Sequence, residues 1–181
     1  MSEALTREEE ITCLKLAREA LEHHFKTGGR MRSPAKSGTL KEKRGAFVTL
    51  TVDGELRGCV GYPLPVKPLD ETIIEMAIAA ACHDNRFEPL EAKELTRLKI
   101  EISVLGLPEP VGDPGKVEVG RHGIIVSKGY NKGLLLPQVP VEHGWDRETF
   151  LSHGCLKAGL RPEEWKKGAE IETFTAQVFS E

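Results

Sequence analysis

Apolar residues recur with helical spacing at Ile11, Leu14, Leu21 and Phe25, behind a Thr6 and Glu9 pair that reads as a capping box. The spacing predicts an amphipathic helix over 7–26, ended by Gly28-Gly29. Residues 28–44 break the pattern. They are polar and basic, with Arg30, Arg32, Lys36, Lys41, Lys43 and Arg44, and read as a long surface loop. That loop is either simply solvated or a mobile basic lid over an anionic ligand. Two strands follow, Ala46–Val52 and Glu55–Tyr62, joined by Asp53-Gly54, a strong two-residue hairpin signal. Pro63, Pro65 and Pro68 stop the second strand, and Asp70 is placed to cap a helix running to about His83. Ile73, Ala77 and Ala80 share one face of it, and the alanines there call for close packing. Ile100, Ile102 and Val104 alternate with Glu101 and Ser103, the signature of a half-buried strand. Residues 124–127 and 134–136 pair around 128–133, Asp146 caps a helix ending at Gly159, and alternation through Glu172, Phe174, Ala176 and Val178 predicts one closing strand. Hairpins between helices favour an α+β fold: a mainly antiparallel sheet flanked by helices.

The hairpin turn also predicts a register. With Asp53-Gly54 at its tip, Val52 faces Glu55, Leu50 faces Arg57, Val48 faces Cys59 and Ala46 faces Gly61. Opposed residues share a face, so Arg57 and Cys59 would lie with Val48 and Leu50 on the core side. Cys59 is then either a small buried hydrophobe or a reactive thiol, and the pattern leaves both open. Arg57 would need a carboxylate, with Asp84 and Glu101 as candidates. Gly58 opposite Thr49 would leave a shallow notch on the other face.

Composition narrows the function classes. The chain has 181 residues, enough for one domain or one domain of two lobes, and its net charge of -3 argues against a general phosphate-backbone binder. No apolar run is long enough to span a bilayer, and the acidic opening MSEALTREEE does not read as a secretion signal. The four cysteines, at 13, 59, 82 and 155, form no CxxC pair and no disulfide framework, which suggests free thiols in a cytoplasmic setting.

The chemistry-bearing stretches are few. Leu56-Arg57-Gly58-Cys59-Val60-Gly61 sets a cation beside a thiol, with glycines that admit close approach. His83-Asp84-Asn85-Arg86-Phe87 either fixes a loop through an Asp84–Arg86 pair or contacts a substrate. His122, between Gly120 and Gly123, is a candidate general base for Cys59 or a turn histidine bonded to backbone. Gln138, Glu142 and His143 could line a pocket. No metal site is expected, since the histidines lack ligand spacing, although His122, His143 and His153 could meet in space. There is no P-loop, Rossmann or nucleophile-elbow motif, and the residues identify no cofactor.

The run LRGCVG, then DNRFEPL after an alanine-rich helix, then ELTRLKIEISVL, GRHGI, LLLPQV, and KAGL followed by Trp165, resembles the AMMECR family along nearly the whole chain. The resemblance implies a single α+β domain over 1–181, with a larger and a smaller lobe and a groove between them near LRGCVG. The family has no established biochemical function. Its prokaryotic members are associated with, or fused to, a Memo-type protein and a radical S-adenosylmethionine enzyme, which implies these as partners and suggests modification of a nucleobase, RNA or small molecule. Its motif positions carry over as Arg57, Gly58, Cys59, Gly61, Asp84, Arg86, Phe87, His122, Gly123, Pro137 and Trp145. Two functional readings follow. In one, Cys59 and His122 are catalytic, with Arg57, Gly58, Gly61, Asp84, Arg86 and Gln138 binding substrate. In the other, the hairpin belongs to a non-catalytic adaptor that docks a partner protein. RNA binding through the 28–44 loop is a third, weaker expectation.

Overall fold

In the computed structural model, which describes residues 4–36 and 38–181, the first helix starts where its capping box sets it. The Thr6 hydroxyl accepts from the Glu9 N–H while the Glu9 carboxylate accepts from the Thr6 N–H (2.8 Å). Helix α1 (Arg7–Thr27) ends at Gly28, whose φ of 72° is the left-handed conformation that favours glycine. Its buried face is Cys13, Leu14, Leu16, Ala17, Ala20 and Leu21, while Ile11 is exposed. The core stripe is thus carried partly by small residues that the sequence reading passed over.

The chain divides into two compact units, one of residues up to Leu105 with Gln177–Glu181, the other of Gly106–Ala176. In the larger unit, β1 (Ala46–Val52) and β2 (Glu55–Tyr62) form the expected hairpin, with Asp53 (φ 53°) and Gly54 (φ 85°) both left-handed at its tip. Helix α2 (Leu69–Cys82) follows, then β3 (Leu98–Leu105). The sheet order is β2-β1-β3-β8, with β8 (Ala176–Ser180) supplied by the C-terminus. Val48, Leu50, Ile100 and Ile102 have no exposure, and they meet Ile73, Ala77 and Leu21 of the two helices in one core. Asp70 does not cap α2. Pro68 is the N-cap residue, and Asp70 lies inside the first turn with its carboxylate fully buried, Oδ2 2.6 Å from Lys41 Nζ. The ammonium neutralises that carboxylate without lining up for a hydrogen bond.

The smaller unit is a second antiparallel sheet, ordered β4-β7-β5-β6. Its strands are β4 (Glu109–Pro110), β5 (Gly123–Lys128), β6 (Asn131–Leu135) and β7 (Glu170–Phe174). A short α3 (Gln138–Glu142) precedes α4 (Arg147–Lys157), which Asp146 caps through the Thr149 N–H (2.8 Å). Phe150, Leu151 and Cys155 of α4 pack on Ile124, Val126 and Ile171. The fold is α+β with antiparallel pairing, as expected, but the strands form two sheets.

The single closing strand of the sequence reading is two strands. β7 and β8 are separated by Thr175 and belong to different sheets. The alternation also resets there, with Phe174 and Phe179 buried and Val178 exposed. A strict period of two over 172–178 missed this because the break shifts the phase by one residue.

Candidate functional site

The hairpin register differs from the expected one by a single residue, and the difference decides where the thiol lies. Val52 pairs with Glu55 and Thr51 with Leu56, but Leu50 pairs with Gly58, Val48 with Val60 and Thr49 with Cys59. A bulge between these pairs leaves Arg57 as the extra residue. Each side chain after a bulge turns to the opposite face. Gly58 therefore faces the core and Cys59 faces away from it, correcting both expectations.

Gly58 shows why the bulge is placed there. A β-carbon on Gly58 would lie 1.9 Å from the Ala80 carbonyl oxygen, so α2 rests directly on this strand. The expected notch is filled by helix backbone. Gly61 is equally constrained, its hypothetical β-carbon falling 2.4 Å from both the Ala46 oxygen and the Phe47 ring. The glycines admit protein, not ligand, at these two points.

Cys59 is half-buried beside Thr49, whose hydroxyl donates to Sγ (3.2 Å). Its backbone faces out of the edge strand β2, and the Asp84–Arg86 pair takes it up. The Asp84 carboxylate accepts from the Cys59 N–H (2.9 Å), and the Arg86 guanidinium donates to the Cys59 carbonyl (3.3 Å). Arg86 also donates twice to Asp84, through Nε (3.0 Å) and a terminal nitrogen (2.8 Å). Those bonds, aided by the backbone N–H groups of Cys59 and Arg86, hold the Asp84 carboxyl far below the usual carboxylate range. Asp84 is buried, whereas the Arg86 side chain is 55% exposed, so the charge that reaches solvent beside Cys59 is cationic.

Arg57 pairs with neither Asp84 nor Glu101. It makes a two-point contact with Glu94 (2.9 and 3.0 Å) and donates to the Glu88 carbonyl (3.0 Å). The Arg57 hydrogen bond, with one from the Glu91 backbone, pulls Glu94 down to about 2. Glu94 is the residue that sequence reasoning missed. Its only signal was a place in the ELTRLKI run before β3.

Among the remaining candidates, His122 belongs to the smaller unit, whereas Cys59 belongs to the larger. Its Nδ1 accepts from the Glu118 N–H (3.1 Å), so a neutral ring carries its proton on Nε2. Gln138 opens α3 and is exposed. His143 and His153 both stack with Trp145, with centroids at 4.8 and 3.8 Å. Among the described residues no three His, Cys, Asp or Glu side chains gather as a metal ion would need, and no helix is long and apolar enough to cross a membrane. All four cysteines are free. Burial raises Cys13 to about 12, in a site with no solvent access.

The basic loop of residues 28–44 is tied down at several points. Arg30 pairs with Glu75 (2.9 Å), Lys41 with Asp70 and Arg44 with Glu42 (2.8 Å), while Leu40 is buried in the core. Glu75 also receives Lys67 and the Tyr62 hydroxyl, which lower its pKa against the opposing effect of burial.

Comparison with known proteins gives a consistent picture. A Methanopyrus kandleri protein is 50% identical over all of this chain and 92% of its own length. A Methanothermobacter thermautotrophicus protein is 44% identical over 98% of this chain and 96% of its own. The crystal structure of an uncharacterized Pyrococcus horikoshii protein superimposes with a TM-score of 0.83 at 43% identity, covering 98% of this chain and 93% of that one. The AMMECR1 family model matches residues 14–179. The chain belongs to the AMMECR1 family.

Proposed function

We infer that this protein is an enzyme, or an enzyme subunit, that acts on a small or nucleotide-derived substrate in a modification pathway shared with Memo-type and radical S-adenosylmethionine proteins. Cys59 is the thiol that meets the substrate. The observation that carries this reading is the bulge at Arg57, which turns Cys59 off the core face and sets it beside a hydroxyl donor and an exposed guanidinium. A cysteine that reacts must lie off the core where a substrate can reach it. Arg86, paired with Asp84 but far more exposed than the Glu94-bound Arg57, takes the electrostatic role first given to Arg57.

The test is alkylation by iodoacetamide at neutral pH, read by peptide mass spectrometry. Cys59 is expected to label in the folded protein while Cys13 and Cys155 stay protected. An unreactive Cys59, together with full function of Cys59→Ala in vivo, overturns the nucleophile role.

A second reading is a non-catalytic adaptor that docks a partner, plausibly the Memo-type protein. It is favoured by the internal pairing of Asp84 with Arg86 and of Arg57 with Glu94, which satisfies polar groups that a substrate would otherwise use. Stable co-purification with that partner supports it, and turnover by the isolated protein counts against it.

A further inference from the structure

A recess of about 450 Å³ lies in the larger unit where residues 30–33 and Lys41 meet the first turns of α2. Arg30, Arg32, Ser33 and Lys41 line it together with one carboxylate, Glu71, and Met31 and Ile74 supply its apolar part. Two of the cations are held by neighbouring acceptors. Lys41 Nζ lies against the buried Asp70 carboxylate, and Arg30 divides its donors between Glu75 and the Glu71 carbonyl (3.2 Å). Each keeps further N–H donors, because an ammonium has three and a guanidinium five. Asp70 and Glu75 offset the charge of these two cations. Arg32 is exposed and enters no ion pair among the described residues, so it supplies the uncompensated charge. The Ser33 oxygen accepts from the Ala35 N–H (3.1 Å), which leaves its proton free to donate.

We propose that this recess binds a nucleoside monophosphate, with the phosphate group on Arg32, Lys41 and Ser33. Guanidinium, ammonium and hydroxyl donors in one lining match the acceptor-only oxygens of a phosphate. Glu71 is an acceptor only and calls for a ligand that also carries hydroxyl or amine donors, as a nucleoside does. The half-buried Met31 gives a base an apolar side chain to rest on, and the volume falls in the range of small-molecule sites. The site is distinct from Cys59. Gly58 meets α2 at Ala80, nine residues past Glu71, or about 13 Å along the helix axis. The inference does not depend on the reactivity of the thiol.

Calorimetric titration of the full chain with adenosine 5′-monophosphate, inorganic phosphate and adenosine tests it. The monophosphate is expected to bind, phosphate to bind more weakly and compete, and adenosine alone not to bind at millimolar concentration. Arg32→Ala removes an exposed side chain and is expected to leave the melting temperature unchanged while weakening the monophosphate by about tenfold or more. Lys43→Ala, also in the loop but outside the recess, should bind as the wild type does. Absence of monophosphate binding overturns the proposal, as does binding that is indifferent to Arg32→Ala. A transfer RNA arm separates the two sources of phosphate: Arg32-dependent binding of RNA without binding of the mononucleotide overturns the mononucleotide assignment.

Discussion

Gly58→Ala tests the register on which the candidate site depends. The added β-carbon would sit 1.9 Å from the Ala80 oxygen and 2.8 Å from the Ala80 carbonyl carbon. Ordinary contact needs about 3.4 Å, so roughly 1.5 Å must be found, and both partners are backbone. Either α2 lifts from β2, loosening the fully buried Ile73 and Ala77, or the bulge at Arg57 resets and turns Cys59 inward. Overpacking of a core costs about 1–3 kcal/mol, and a clash with backbone belongs at the top, near 3 kcal/mol. Urea unfolding followed by circular dichroism measures it as a lower midpoint at unchanged slope. Gly112→Ala is the matched control, since a β-carbon there meets nothing within 4 Å, and it should change stability by less than about 0.5 kcal/mol. A Gly58→Ala protein as stable as that control would refute the close approach of α2 and the face assignment of Cys59.

Three further outcomes are expected. Asp84 and Glu94 both have lowered pKa values in the folded protein, so their contribution is complete above the unfolded carboxylate values of about 4. It is lost as pH falls through the folded values, for Glu94 from about 4.5 to about 2. Denaturation midpoints between pH 5 and 2 should show this fall, and Asp84→Asn with Glu94→Gln should flatten it. Phe150→Ala empties the centre of the smaller unit's core and should cost about 3–5 kcal/mol, read by tryptophan fluorescence from Trp145 and Trp165, which pack against that core. Thr6→Ala removes the α1 capping box and should cost about 1 kcal/mol by urea unfolding, with Thr6→Ser largely restoring it.

The helices and strands were legible because most of the chain obeys local rules. Thr6, Gly28, Asp53-Gly54 and Asp146 each set an element boundary with their own backbone or side chain, and each does so in the folded protein. The errors cluster where a long-range contact overrides the local period. The bulge at Arg57 answers to Ala80, on a helix more than twenty positions later, and no periodicity within β2 could announce it. Asp70 looked like a cap because its partner, Lys41, lies in a loop with no pattern. The switch at Thr175 was hidden because two short strands in sequence imitate one long strand. Within the candidate site the Asp84–Arg86 pair was legible as a close sequence pair, whereas Arg57–Glu94 spans 37 residues and was not.

Strand β2 is an outer strand of its sheet, and an outer strand offers unpaired backbone groups to any other chain that can pair with it. At Cys59 the Asp84–Arg86 pair already fills that place, presenting a carboxylate to the N–H and a guanidinium to the carbonyl as an adjoining strand would. A second molecule adding edge-to-edge would have to displace this carboxylate and guanidinium from the Cys59 backbone before forming bonds of its own there. The DNRF segment therefore covers the β2 edge at Cys59, and its removal is expected to increase aggregation during folding.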